Sequence, residues 1–183
     1  MEHRRPAPAA MDLIAQYEIP FLHPLLVHFP LVLLLLGAAA AGLYLVLGRA
    51  VWRQAGLVLF ALGALTAWAA GETGHDLHRA VEGDPVVDQV IGRHQAGAAW
   101  TLWTSALAAF AFALVSLARI RVRLPRRKKA ADDEEPEVAE PVVASRREPL
   151  WGRLLVLPPA WAAAAAVAWT AHLGGIMVWG IPR

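Results

Sequence analysis

Four long stretches of this chain contain no aspartate, glutamate, lysine or arginine. They cover residues 19–48, 54–71, 94–118 and 154–182. A helix that crosses the hydrocarbon core of a bilayer needs about 20 predominantly apolar residues. Each stretch reaches or approaches that length, so the sequence predicts an all-α integral membrane protein with four transmembrane helices. These predicted spans 1 to 4 cover, in order, about 24–47, 52–71, 95–118 and 157–179.

The composition and the connections predict how the spans are organised. Hydrophobic residues make up 57% of the 183 positions, which is high for a soluble domain of this length. Four successive spans predict an up-and-down four-helix bundle. The predicted organisation is an N-terminal tail at 1–20, spans 1 to 3 within 21–120, a charged disordered cytoplasmic linker at 121–150, and span 4 within 151–183.

The distribution of basic residues predicts the orientation. If both termini and the connection between spans 2 and 3 share one side, that side holds Arg4, Arg5, Arg79, Arg93 and Arg183. The remainder of the 17 lysines and arginines then lie on the other side. Because lysine and arginine in short loops stay cytoplasmic, both termini are expected on the outer, periplasmic side of the bacterial inner membrane.

Six of the seven histidines then fall at the outer end of the bundle. They are His23 and His28 at the start of span 1, His75 and His78 after span 2, His94 at the start of span 3, and His172 inside span 4. Ionisable groups inside a membrane are rare and usually mark a pathway, a relay or a ligand. Neutral imidazole is a common metal ligand, and facing helices of a bundle are where bound cofactors are built.

The residue types limit which cofactor these histidines can hold. The chain has no cysteine, which excludes thiolate metal sites and the CxxCH attachment of a c-type haem. A di-iron site needs two Glu-x-x-His motifs, and only Glu72 with His75 fits that spacing. His75 and His78, three residues apart in HDLH (75–78), are a candidate pair of metal ligands. Haem b needs one axial histidine on each face and no cysteine, so it is the favoured cofactor.

Depth along each helix ranks the candidate haem ligands. At about 1.5 Å per residue, His28 and His172 lie at comparable depth and form the leading axial pair. His94 and His23 are the substitutes or a second pair, and Arg93 and Arg79 are candidate partners for the haem propionates. Small residues that could admit a macrocycle flank the ligands. They are Ala69, Ala70 and Gly71 in span 2, Ala96, Gly97, Ala98 and Ala99 in span 3, and Gly174 and Gly175 in span 4.

Two prolines bracket the first turns of span 1. Pro24 suits the first turn of a helix, where its missing N–H is no loss. Pro30 is expected to remove the hydrogen bond to the Leu26 carbonyl, to kink the entrance and so to fix the aim of His28.

Three segments also resemble the bacterial membrane proteins of domain-of-unknown-function family 2231. They are HPLLVHFPLVLLLLG (23–37), the GETGH turn (71–75) with His94 downstream, and HLGGIMVWG (172–180). The resemblance spans nearly all of the chain except the N-terminal tail and the 121–149 linker. It implies a compact set of four membrane helices and a redox setting for His23, His28, His94 and His172, since some relatives occur with cytochrome-type domains.

Three functional interpretations remain open at this point. The first is a haem b protein that transfers electrons between a membrane quinol and an outer partner such as a cytochrome. The second is a non-catalytic membrane subunit that anchors or assembles a larger complex, with histidines forming helix–helix hydrogen bonds. The third is a transition-metal binding membrane protein. A stand-alone hydrolase is not supported, because neither a Ser/His/Asp spacing nor HExxH is present. The expected surroundings are membrane lipid, without nucleic acid.

Overall fold

A computed structural model describes residues 22–81, 83–123 and 147–180, and these residues are almost entirely helical. Five helical segments follow one another. They are α1 (His23–Leu26), α2 (His28–Leu47), α3 (Ala50–Val81), α4 (Pro85–Arg123) and α5 (Leu150–Trp179). The N-terminal tail and most of the predicted linker, residues 124–146, lie outside the described residues.

The four predicted spans are present as helices. Span 1 consists of α1 and α2, and spans 2, 3 and 4 are α3, α4 and α5; each is long and apolar enough to cross a membrane. Three of them are longer than predicted: α3 continues past residue 71 to Val81, α4 begins at Pro85, before residue 95, and α5 begins at Leu150, before residue 157. A helix does not end where charged residues begin: polar side chains such as Glu72 are simply exposed on its surface.

The spans pack as a closed ring. The main contacts join span 1 to span 2, span 2 to span 3, span 3 to span 4 and span 4 back to span 1. Spans 1 and 3 therefore lie on one diagonal of the bundle and spans 2 and 4 on the other. This is the arrangement expected of an up-and-down four-helix bundle.

The entrance of span 1 is interrupted at the predicted place. Val27 separates α1 from α2, and Pro30 lies in the first turn of α2. Proline has no N–H, so it cannot donate the hydrogen bond to the Leu26 carbonyl that a continuous helix requires. The His28 imidazole does bind a carbonyl in this turn, but it is that of Pro24, at 2.6 Å.

An aromatic core fills the middle of the bundle. The rings of Phe60 and Phe112 stack with centroids 5.8 Å apart, and Tyr44 lies 6.3 Å from Phe112. All three side chains are fully buried. Gly37 faces Phe60 at a distance that leaves little room for a Cβ, and Ala41 is fully buried. Small residues on span 1 thus allow close packing against the aromatic core.

A buried ion pair closes the end of the bundle where span 1 finishes and span 4 begins. Glu148 accepts hydrogen bonds from the Tyr44 hydroxyl at 2.6 Å and from Arg53 Nε at 3.0 Å. Its backbone N–H donates to the Gly48 carbonyl at 2.8 Å. Glu148 was expected in the solvated linker, but only 7% of its surface is exposed. The segment before α5 is therefore fastened to spans 1 and 2.

Candidate functional site

The histidines at the other end of the bundle fall into two groups. His23, His78 and His94 are partly buried, whereas His28, His75 and His172 are exposed. Of these six, His23 and His94 bind backbone groups of a neighbouring span. The candidate site therefore centres on His23 and His94.

His23 connects span 1 to span 2. Its Nδ1 lies 2.9 Å from the carbonyl oxygen of Ala70 and 3.2 Å from Oγ1 of Thr73. The Thr73 hydroxyl itself donates to the Ala70 carbonyl, at 3.0 Å. The imidazole also lies against Gly74, where a Cβ would come within 2.9 Å of His23 Cε1. The ring thus rests directly on the backbone of α3.

His94 makes the same kind of contact between span 3 and span 4. Its Nδ1 lies 3.0 Å from the carbonyl oxygen of Thr170. The ring faces Gly174, where a Cβ would lie 3.4 Å from His94 Cε1. The neighbouring turn is also closely packed, since a Cβ on Gly97 would lie 2.6 Å from Thr170 Oγ1.

The two contacts follow one pattern. Each histidine binds a carbonyl of the adjacent helix and packs on the glycine four residues later: Ala70 with Gly74, and Thr170 with Gly174. In an α-helix the Cα–Cβ bond tilts toward the N-terminus, so a side chain covers the turn that precedes it. Glycine at the fourth position leaves the carbonyl accessible to a donor from outside the helix. The histidine contact between spans 1 and 2 is therefore equivalent to the one between spans 3 and 4.

These hydrogen bonds determine the tautomer of both rings. A carbonyl oxygen can only accept, so Nδ1 of His23 and of His94 must carry the hydrogen. In the neutral imidazole Nε2 then has the free lone pair. This is the second-sphere arrangement that orients metal-ligating histidines and raises their basicity.

The two imidazoles also lie on opposite spans of the ring. His23 lies on span 1 and His94 on span 3, and these two spans are on one diagonal of the ring. Each is held from behind by a different neighbouring helix. Two imidazoles from opposite spans, each oriented by a neighbouring helix, therefore lie at the same end of the bundle.

The leading pair from the sequence, His28 and His172, is placed differently. Both side chains are exposed on the surface of the bundle. His28 borders a shallow apolar groove with Leu25 and Phe29, and His172 lies beside Trp169, with ring centroids 5.9 Å apart. The structure does not bring this pair together inside the bundle, because position along a helix does not determine which way a side chain points.

The remaining predicted residues lie at the same end of the bundle. His75 and His78 belong to α3, and His75 binds the Gly71 carbonyl of its own helix at 2.8 Å. Arg79 pairs with Asp76 at 2.8 Å, and Arg93 is exposed next to His94. Within residues 22–81, 83–123 and 147–180, no group of three or more metal-ligating side chains is present.

Comparison of the chain with protein-family models, with curated proteins and with solved structures found no match. The geometry of the histidine contacts is therefore the basis for the function proposed below.

Replacing Gly74 by alanine tests the role of glycine behind His23. The new Cβ would push the imidazole away from the Ala70 carbonyl, whereas alanine at Gly71 meets nothing within 4 Å. Both changes bring the same gain in helix propensity, so Gly74→Ala should be less stable than Gly71→Ala by about 1 kcal/mol, the net value of a hydrogen bond. Thermal unfolding in detergent measures the difference. Equal melting temperatures would show that the close contact is unimportant.

Proposed function

We propose that this chain is a haem b protein of the bacterial cytoplasmic membrane that transfers electrons, with His23 and His94 as the axial ligands of one haem. The observation that carries the proposal is the pair of equivalent histidine contacts on spans 1 and 3. Both rings come from the set of candidates predicted from the sequence. His28 and His172 are not used as a pair, because both are exposed.

The chemistry of the donor set fits haem b. Two neutral imidazoles can bind the two faces of a haem iron, and no cysteine is required. Each Nδ1–H is held by a backbone carbonyl, so each Nε2 is available and each ring keeps a fixed orientation. When bound, the haem would supply a one-electron redox centre. The protein supplies orientation, the exclusion of water and a surrounding of low polarity.

The partners follow from the predicted orientation. The distribution of lysine and arginine predicts that His23 and His94 lie near the periplasmic face. Arg93 and Arg79, at the same end, are candidate partners for the haem propionates. Electrons would pass from a membrane quinol to an outer redox partner such as a cytochrome. The resemblance to domain-of-unknown-function family 2231, some of whose relatives occur with cytochrome-type domains, supports this redox setting.

The same hydrogen bonds also fit a second function, in which the histidines only join neighbouring spans. His23 ties span 1 to span 2 and His94 ties span 3 to span 4 without any cofactor. In a non-catalytic anchor or assembly subunit, these contacts would serve only to close the two hairpins. This alternative predicts stable co-purification with other membrane proteins and the absence of a chromophore. The transition-metal interpretation stays a prediction from the sequence.

An optical spectrum of the purified full-length protein separates the two proposals. After expression with adequate haem supply, we expect a Soret band that shifts on reduction with dithionite, and about one haem per chain in a pyridine haemochrome assay. A colourless protein that is folded and monodisperse under those conditions would rule out the haem proposal and leave the anchor function.

A further inference from the structure

Three arginines from different spans lie at the end of the bundle opposite the histidines. We call Arg53 of span 2, Arg119 of span 3 and Arg153 of span 4 the arginine cluster. Arg53 Nε lies 3.0 Å from Glu148 Oε2, and Arg119 Nε lies 3.9 Å from the same oxygen. Arg153 donates from Nη1 to the Leu45 carbonyl at 2.8 Å.

The positive charge of the arginine cluster exceeds the negative charge beside it. Glu148 is the carboxylate that pairs with Arg53 and Arg119, while Arg153 is held by a neutral carbonyl. Within the described residues, three buried guanidinium nitrogens have no hydrogen-bond acceptor: Arg119 Nε, Arg119 Nη2 and Arg153 Nε. Buried donors without acceptors are rare and unfavourable, so we expect an additional acceptor beside these arginines.

The chemistry of these donors indicates which acceptor would fit. A guanidinium group presents a planar fork of N–H donors that matches the oxygens of a phosphate or carboxylate. An anion with several oxygens could accept from two arginines at once and would also offset the excess charge. The side chain of Arg119 is 23% exposed, so part of the cluster lies at the surface of the bundle.

The position of the arginine cluster relative to the apolar stretches indicates where the anion comes from. Arg53 directly precedes the charge-free stretch that begins at residue 54, Arg119 directly follows the one that ends at 118, and Arg153 directly precedes the one that begins at 154. All three thus lie where the hydrocarbon core meets the head groups. Trp151, which is exposed nearby, is typical of that interface.

We propose that the arginine cluster binds the phosphate of an anionic phospholipid, with Arg119 and Arg153 as the residues that contact it. Basic pockets between transmembrane helices at this level are known to bind anionic head groups. The bound phosphate would accept from the open donors of both arginines and thereby join span 3 to span 4. These are the spans connected by the long segment 124–146, so no short loop holds their ends together at this side.

Thermal unfolding of the full-length protein in an uncharged detergent tests the proposal. Saturating phosphatidylglycerol should raise the melting temperature by about 5 °C or more. Phosphatidylcholine and inorganic phosphate, added separately, should raise it much less. Arg119→Gln and Arg153→Gln should each lose most of the response to phosphatidylglycerol. Arg49→Gln, which removes an exposed arginine at the same end, should retain it.

The possible outcomes assign the ligand clearly. An equal response to phosphatidylcholine, or a full response in both cluster variants, would overturn the proposal. An equal response to inorganic phosphate would overturn the assignment to a lipid and leave a plain phosphate site. If the variants do not fold, native mass spectrometry of the wild-type protein decides, because the proposal requires that phosphatidylglycerol stays bound where phosphatidylcholine is lost.

Discussion

Replacing either His23 or His94 by alanine is expected to remove most of the bound haem. Loss of an outer-sphere partner already weakens metal sites by about 10- to 100-fold, so loss of a ligand should lower haem content at least about tenfold. His28→Ala and His172→Ala serve as matched controls, because both residues are exposed and bind no neighbouring span. Haem content per chain in a haemochrome assay measures all four variants. If the two control variants lose haem instead, His28 and His172 would be the ligands, as the sequence ranking predicted.

A glutamine substitution separates ligation from helix contact. Glutamine at position 23 can still donate an N–H to the Ala70 carbonyl, but it has no imidazole nitrogen. We therefore expect His23→Gln to remain folded and to lose haem. If histidine serves only to close the hairpin, His23→Gln and the wild-type protein should be alike in stability and neither should carry haem. Recovery of the spectrum of His23→Ala on addition of external imidazole would support ligation further.

Replacing Glu148 by alanine is expected to cause the largest loss of stability at the opposite end. Glu148 and Arg53 are both nearly buried, and removal of one partner leaves the other charge uncompensated. Such a change typically costs about 3–5 kcal/mol. The hydroxyl of Tyr44 would also lose its acceptor, while Arg53 would retain only its bond to Ser116. Unfolding in detergent measures the effect.

The exposed pair of Asp76 and Arg79 provides the control for the buried pair. Asp76→Ala removes an ion pair of similar length, 2.8 Å, whose arginine is 76% exposed. Exposed pairs contribute about 0–1 kcal/mol, so this variant should be nearly as stable as the wild-type protein. Exchange of both Arg53 and Glu148 for uncharged residues of similar size should recover part of the loss. A Glu148→Ala variant as stable as Asp76→Ala would mean that Glu148 does not fasten span 4.

The carboxylate of Glu148 should also make the stability of the protein depend on pH. Burial alone would raise the pKa of Glu148, but hydrogen bonds from Tyr44 and Arg53 and the charges of Arg53 and Arg119 lower it below 4.5. Because the folded-state pKa is the lower one, the pair contributes fully above 4.5 and loses its contribution as the pH falls toward the folded-state value. The free energy of unfolding should therefore decrease in acid more steeply in the wild-type protein than in Glu148→Gln.

The number of helices could be predicted from the sequence, because the absence of charge over about 20 residues leaves few alternatives to a membrane span. The direction in which each histidine points could not. Depth placed His28 and His172 at one level, but both are exposed, whereas His23 reaches Ala70 of the next span. A usable signal was present in the glycines. Gly74 and Gly174 each leave a helix carbonyl uncovered next to a histidine of the neighbouring span.

The buried role of Glu148 was also missed from the sequence. It lies in a charged segment whose composition predicts a solvated linker, and nothing in its neighbours distinguishes it from the other acidic residues there. Its partners are far away in the sequence, since Tyr44 and Arg53 belong to spans 1 and 2. The contact becomes visible only when the closed ring brings the start of span 4 next to the end of span 1.

The proposal that His23 and His94 hold a haem between them is tested most directly by identifying the ligands of that haem. Near-infrared magnetic circular dichroism of the oxidised protein reports those ligands. We predict the signature of two imidazoles in the wild-type protein and its loss in both His23→Ala and His94→Ala. A haem-free wild-type protein, or a two-imidazole signature that survives in both variants, would contradict the account.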